Sequence, residues 1–281
     1  KRKGVDQSLL TDKWEDIIND DEIEIVIEVM GGIEPARTMI LEALHAGKNV
    51  VTANKDLVAT HGHELLEAAE ESGVDFLFEA AVAGAIPIIR PLKQCLAANE
   101  IQEVIGIVNG TTNFILTKMI EEGMDFDDAL ALATELGYAE ADPTADVEGI
   151  DVANKLTILM ALAFGQYIKP ENIPTTGISK ITAADIEAAA LKGCKIKLIA
   201  HAKMNGTSCS DCAEKGKLEY SVKPMLLPND HPLAGVSNEF NAVFITGNAV
   251  GELMFYGRGA GAMPTGSAVV GDVIEIAKSF K

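Results

Sequence analysis

The sequence predicts an α/β region followed by an α+β region: a partial parallel sheet, then a mixed α+β domain. Three observations carry this. Residues 23–78 alternate β-branched runs with helical stretches in the order β-α-β-α-β, the pattern of parallel strands joined by right-handed crossovers. Residues 101–108, 196–202, 218–226, 242–246 and 252–256 read as further strands among helices, which favours an antiparallel sheet backed by helices. Finally, residues 149–165 form one helical stretch that is apolar nearly all round, and a helix of that kind is buried.

Composition excludes several classes. The chain has 281 residues, enough for two domains with a sizeable core, and is 48% hydrophobic and 23% charged, as in ordinary globular proteins. A formal charge of −19 argues against nucleic acid and against an anionic membrane surface, because both need clustered Lys and Arg. It suits a substrate that carries an ammonium group. No apolar run reaches membrane-spanning length and no signal-peptide pattern opens the chain, so a cytoplasmic location is expected. Four cysteines fit a reducing compartment; the Cys209–Cys212 pair lacks a second ligand pair and reads as a polar loop.

In order along the chain, Trp14, Ile17 and Ile18 suggest a short amphipathic helix. A strand at 23–29 runs into Gly31-Gly32, with Pro35 placed to open a helix that stops at Gly47. The strand at 49–52 leads into Ala53-Asn54-Lys55, a helix at 62–72 ends near Gly73, and a third strand covers 75–78. Parallel sheets bind ligands at the carboxyl ends of their strands, where Gly31-Gly32 and Lys55 both fall. The plain alternatives are a tight βα turn and an exposed loop lysine. Small residues follow at Glu79-Ala-Ala-Val82-Ala-Gly84-Ala-Ile86, with a helix expected near Pro87. Asn109-Gly110-Thr111-Thr112-Asn113 ends a strand and opens a helix at 111–122, and further helices are expected at 127–136, 182–191 and 264–279. Gly257-Arg258-Gly259-Ala260-Gly261 precedes the last of these as an anion-friendly turn, or equally a flexible connection.

The densest chemistry lies at 137–155. It holds five carboxylates (Glu140, Asp142, Asp146, Glu148 and Asp151) and ends in Lys155, while the 36 residues between Lys118 and Lys155 contain no Lys or Arg. Asp151 and Lys155 share one helical face. A surface ion pair would be the bland reading. Their stripe continues into Ile158 and Leu162 of the buried helix, where a charge is costly unless it is paired or functional.

Five motifs in order, Thr52-Ala-Asn-Lys55, Glu79-Ala-Ala-Val-Ala-Gly84, Asn109-Gly-Thr-Thr-Asn113, Tyr138-Ala-Glu140-Ala-Asp142-Pro143…Asp146…Asp151…Lys155 and Gly257-Arg-Gly-Ala-Gly261, resemble those of homoserine dehydrogenases. The resemblance covers most of residues 23–281. It implies an NAD(P)-dependent oxidoreductase acting on a CH–OH group, interconverting L-homoserine and L-aspartate 4-semialdehyde on the way to threonine and methionine. It implies Lys155 as proton donor or acceptor, with Asp151 orienting it. Glu140, Asp146, Gly110, Thr111, Tyr138 and Lys55 would meet the substrate; Lys55, Gly31 and Gly261 would meet the cofactor. Glu79 with the carbonyls of Val82, Gly84 and Ile86 would match the family's sodium site. It further implies a homodimer or homotetramer, and a Rossmann-like sheet over 1–85, completed by a C-terminal helix at 262–281, beside a catalytic and dimerisation domain over 86–261.

Such a dinucleotide fold normally opens with a strand, G-x-G-x-x-G and a helix, and no such pattern precedes the first strand here. The expectation is therefore an N-terminally truncated chain, starting at Lys1 without Met, with cofactor binding and activity impaired by the missing loop. No regulatory ACT domain is expected after the last helix. Two rival readings are a related two-domain reductase of another amino-acid-derived carbonyl, and a non-catalytic binding or assembly module.

Overall fold

Two sheets organise the chain, each built by a different hydrophobic period. The computed structural model describes residues 6–206 and 216–280; the Cys209–Cys212 pair lies outside them. The first region holds α1 (Trp14–Ile18), β1 (Ile25–Glu28), α2 (Ala36–His45), β2 (Asn49–Thr52), α3 (Lys55–Ser72) and β3 (Phe76–Leu77). The second holds β4 (Ile101–Ile107), α4 (Gly110–Glu122), α5 (Phe126–Glu135), α6 (Thr144–Val147), α7 (Ile150–Phe164), α8 (Ala183–Leu191), β5 (Cys194–Asn205), β6 (Lys217–Pro228), β7 (Phe240–Gly247) and β8 (Gly251–Arg258), before α9 (Ala262–Ser279).

Strands β1, β2 and β3 form a parallel Rossmann-like sheet in that order. The central strand β2 is covered on both faces, as an inner parallel strand requires, whereas β1 buries Val26 and Glu28 and leaves Ile27 exposed on its other face. Val26, Val50 and Phe76 meet Ile40, Leu44, Leu57 and Leu65 of α2 and α3, while Val51 meets Val269 and Ile276 of α9. The C-terminal helix therefore returns to the first sheet. The second sheet is antiparallel, ordered β6-β5-β4-β7-β8. One face packs on the α4 and α7 side through Val104, Ala200 and Ala202, with Phe114, Leu156 and Leu159 in the same core. The other face carries Ile107, Ile199, Ala242 and Phe244 beneath a short turn, Pro232–Gly235.

Local chemistry moved one boundary and capped another helix. Helix α3 starts at Lys55, seven residues before the expected start, because the Asn54 side chain accepts from Leu57 N at 3.1 Å and caps it. The stretch after Pro87 turns helical from residue 89, as expected, and continues through Pro91–Cys95. Here the Glu79 carboxylate accepts the N–H groups of Ile88, Ile89 and Arg90 at 2.6, 2.8 and 2.8 Å. A carboxylate from a distant turn thus serves as the cap. Glu79 N and Arg90 Nη2 both donate to Asp272 on α9, at 2.8 Å each. That knot ties the C-terminal helix to the junction between the two sheets.

The 257–261 turn is packed, not loose. An added Cβ at Gly259 would lie 1.1 Å from Asn241 Oδ1, on a side chain that is 1% exposed. Gly259→Ala is expected to cost about 2 kcal/mol by overpacking, seen as a lower urea midpoint. Gly266→Ala in α9, where a Cβ meets open space, should be neutral or slightly stabilising. Equal effects from the two would refute the packing account.

Lys197 on β5 is 1% exposed, and its ammonium reaches only neutral acceptors, Asn113 Oδ1 at 3.0 Å and the Val236 carbonyl at 2.7 Å. Burial, helped by the charge of Lys195, brings its pKa down to about 8 from 10.5. The unfolded chain then binds more protons between those values, so stability rises with pH across that window. Urea melts from pH 8 to 10.5 should show this rise in the wild type and a flatter profile in Lys197→Met.

Candidate active site

Helix α7 carries the centre of the site. Gly149 takes the left-handed conformation at its N-terminus (φ +81°), turning the chain from α6 into α7 beside Thr175 and Val222. One turn along α7, Lys155 Nζ donates to Asp151 Oδ2 at 2.7 Å and to the Val108 carbonyl at 2.7 Å. The side chains are 11% and 6% exposed, so this is no surface ion pair. Lys55, arriving from the carboxyl end of β2, lies 3.2 Å from Asp151 Oδ1. Each oxygen of one buried carboxylate therefore meets its own lysine.

Asn109 completes the arrangement. It caps α4 by accepting Thr112 N at 2.8 Å, and its amide nitrogen donates to Asp146 Oδ1 at 2.6 Å and Asp151 Oδ2 at 2.9 Å. Both protons of one –NH2 group hold two carboxylates apart. Alongside, Asn154 Nδ2 donates to Asp56 Oδ1 at 2.7 Å, joining α7 to α3 one residue away from each lysine. Over this cluster opens a cleft of 370 Å³, lined by Lys55, Asp56, Glu140, Asp142, Ala145, Asp146, Ile150, Asp151 and Asn154. Five carboxylates and one lysine make its wall strongly negative, a field that gathers cationic groups.

The charges tune one another. Burial works to raise the Asp151 pKa, but Lys155 and Lys55 outweigh it and hold the carboxyl below its ordinary value. Burial disfavours the Lys55 ammonium, yet Asp151 and Asp56 prevail and raise its pKa. For Asp146 the cations weigh less, Lys155 acting on it only weakly. Burial pushes its pKa up, offset in part by the Asn109 hydrogen bond.

Of the residues expected from the sequence, Lys155, Asp151, Lys55 and Asp146 meet in one cluster. Glu140 is exposed at the cleft mouth. Gly110, Thr111 and Tyr138 stand together as the adjoining wall: Thr111 Oγ1 donates to the Tyr138 carbonyl at 2.7 Å, and the Tyr138 ring lies 4.8 Å from Phe114. Gly110 abuts the backbone of Glu239, whose carbonyl would be 2.8 Å from an added Cβ. Gly31 and Gly261 sit outside this lining, at the end of β1 and at the start of α9. Glu79, Val82, Gly84 and Ile86 form a separate buried turn. The roles of Asn109, Asn154 and Asp56 were not foreseen. An Asn directly before a helix that follows a strand is a capping signal; its second duty, toward two carboxylates, depends on tertiary contact.

A parallel sheet with its strand ends facing a charged cleft, and an antiparallel sheet behind it, define a protein of the two-lobed Rossmann-like class. Comparison with known proteins narrows this. The family model described as homoserine dehydrogenase matches residues 87–274, and the one described as its NAD-binding domain matches residues 1–79. The chain belongs to the homoserine dehydrogenase family. It is 52% identical over 278 residues to the homoserine dehydrogenase of Corynebacterium glutamicum, covering 99% of this chain and 62% of that one. It is 48% identical over 283 residues to that of Bacillus subtilis, covering 100% and 63%. The crystal structure of a homoserine dehydrogenase from Thiobacillus denitrificans superposes with a TM-score of 0.89 at 48% identity, over 95% of this chain and 60% of that one. A hyperthermophilic archaeal homoserine dehydrogenase in complex with NADPH gives 0.79 at 33% identity, over 96% and 76%. The chain thus spans about three fifths of the length of the curated relatives it matches.

One expectation is corrected here. The NAD-binding domain is present across residues 1–79, so the reading of a chain truncated out of its dinucleotide-binding region, and impaired for that reason, is overturned. A single glycine pattern is a local signal, and its absence does not outweigh the β-α-β-α-β core that β1 to β3 build. Among the described residues, no helix is long and apolar enough to cross a membrane.

Asp151→Asn would leave the nearly buried Lys155 without its carboxylate and take from Lys55 its partner, with an expected loss of about 3 kcal/mol at pH 7. The Asp151 pKa is depressed in the fold, so its contribution is present above the unfolded value of 3.8 and fades as pH falls through the lower folded value. The difference between wild type and Asp151→Asn in urea melts should shrink on acidification. A difference constant from pH 7 to pH 3 would exclude the ion-pair account.

Proposed function

We propose that the chain carries out the reaction of its family, the NAD(P)-dependent interconversion of L-homoserine and L-aspartate 4-semialdehyde. The observation that carries this reading is the Lys155–Asp151–Lys55 cluster, in which Asp151 and the partly exposed Lys55 line an acidic cleft and the nearly buried Lys155 stands directly behind Asp151. Reduction of an aldehyde builds negative charge on its oxygen, and a fixed ammonium beside it both stabilises that charge and delivers the proton. Lys155 serves as that acid, or as the base in the oxidising direction. Asp151 holds it at 2.7 Å, while Val108 directs a second of its protons inward. Glu140 and Asp146 take the amino-acid ammonium, with Gly110, Thr111 and Tyr138 as the adjoining wall.

The bound dinucleotide supplies or accepts the hydride. The residues at the first sheet suit it: an added Cβ at Gly31 or Gly32 would meet no atom within 4 Å, so the turn offers an open face for close approach. Gly261, which opens α9, and Lys55 complete the cofactor side. The archaeal relative, solved in complex with NADPH, supports a dinucleotide as the cofactor. For sodium, the Val82, Gly84 and Ile86 carbonyls accept none of the loop backbone hydrogen bonds among the described residues, which leaves oxygens to hold such an ion. The Glu79 carboxylate is engaged as a helix cap, so Glu79 would contribute through its carbonyl.

We divide the chain into residues 1–85 with 262–281 as the nucleotide lobe, and 86–261 as the catalytic and dimerisation lobe. The packing of Val269 and Ile276 on Val51 supports the first assignment. A homodimer through the outer face of the second sheet is supported by Met254 and Tyr256, exposed in register with Phe244 and Ala242.

The test is homoserine oxidation by the full chain, with Lys155→Ala beside it. The variant should lose about a thousandfold in kcat with little change in KM, the size expected of a lost general acid–base group. Unchanged turnover would remove Lys155 from proton transfer, and no homoserine oxidation in the wild type would favour the related-reductase reading.

A further inference from the structure

At the carboxyl end of β1 the pattern of burial is inverted. Val29 and Met30 are 67% and 58% exposed, whereas Glu28 beside them is 4% exposed. A carboxylate is among the last groups to be buried, and does so only where donors replace its water. Glu28 has three. Oε1 accepts Met30 N at 2.7 Å and Gly31 N at 3.1 Å, and Oε2 accepts the Thr52 hydroxyl at 2.6 Å from the neighbouring strand.

The chain of bonds continues until it closes. Thr52 Oγ1 accepts Asn54 N at 2.9 Å, and Asn54 Nδ2 donates to the Gly32 carbonyl at 2.6 Å. Asn54 Oδ1 meanwhile accepts Leu57 N and fixes the first turn of α3, whose first residue is Lys55. Glu28, the 30–32 turn, Asn54 and Thr52 therefore make one ring. It presents Gly31-Gly32 on one side and launches Lys55 toward Asp151 on the other.

The ring also decides what the turn can receive. Free backbone N–H groups bind phosphates. Here the N–H groups of Met30 and Gly31 are already directed inward at a carboxylate, which would in addition repel a phosphate. The surface left is neutral glycine backbone over a buried anion. That surface suits ribose hydroxyls and the pyridine ring, which is cationic in its oxidised form.

Resting on the dehydrogenase reading above, we propose that Glu28 and Thr52 are positioning residues that lock the Gly31-Gly32 turn and Lys55 into one rigid unit, and that this turn takes the nicotinamide-ribose end of the dinucleotide and not its phosphates. Neither side chain touches the reacting atoms. Their effect passes through the turn and through Lys55.

The full chain is compared with Thr52→Val, Thr52→Ser and Glu28→Gln. Amide hydrogen exchange without cofactor should quicken at residues 30–32 in Thr52→Val and Glu28→Gln and stay at the wild-type rate in Thr52→Ser, which keeps the hydroxyl. Fluorescence titration with whichever of NADH and NADPH the wild type binds more tightly should weaken about tenfold in the first two, the scale of one lost buried hydrogen bond to a charged group. The kcat for homoserine should fall with it. The inhibition constant of inorganic pyrophosphate should not move, because its groups lie elsewhere. Wild-type exchange and reduced-cofactor affinity in both Thr52→Val and Glu28→Gln would overturn the locking role, and pyrophosphate binding that shifts in Glu28→Gln would overturn the assignment of the turn. A wild type that binds dinucleotide yet fails to oxidise homoserine would count against the dehydrogenase reading alone, since exchange and titration are read without turnover.

Discussion

The interaction on which the rest depends is the carboxylate of Asp151, buried with a lysine against each oxygen. A carboxylate and an ammonium removed from water, with a second, partly exposed ammonium beside them, are costly, and such a cluster is tolerable only where every partner is held in place. The chain brings the parts from three directions. Lys55 comes off the end of a parallel strand, Asp151 and Lys155 come from the first two turns of α7, and Asn109 comes from the junction of β4 and α4. The two sheets are thereby oriented by what must meet between them. The Asn154–Asp56 bond runs alongside and keeps α3 and α7 in step.

Much of this was legible in the residues. The parallel and antiparallel sheets followed from strand spacing, and α7 followed from its apolar circumference. The Asp151–Lys155 pair followed from its i,i+4 spacing on a face that had to be buried. What escaped had non-local causes. The start of α3 was set by Asn54, while the glycine at position 62 masked the helix before it. The helix after Pro87 starts where expected, but its cap, Glu79, nine residues before Ile88, had no local signal. Lys197, within the strand expected at 196–202, is enclosed by Asn113 and the Val236 carbonyl. No periodicity reports a partner 84 residues away.

The cleft is also selective by sign. Asp56, Glu140, Asp142 and Asp146 stand around Lys55, whereas Lys155 is turned inward on Asp151. A ligand with an ammonium group finds several anions and one cation; a phosphate finds the reverse of what it needs. The cleft is thereby a surface for cationic groups and not for phosphates.

Asn109 has a further consequence, one of chemical ageing. It is followed by Gly110, and an Asn-Gly pair in a flexible chain closes readily to a succinimide, which opens to aspartate or isoaspartate. In the fold its amide is pinned to Asp146 and Asp151, and its oxygen to Thr112, so the ring closure has no room to begin. Protection lasts only while α4 stays capped. A molecule that unfolds and is hydrolysed there refolds with a third carboxylate facing two others, where the only bridging donor used to be. The working lifetime of the site is therefore tied to the stability of one helix end, and each excursion to the unfolded state risks a change that refolding cannot reverse.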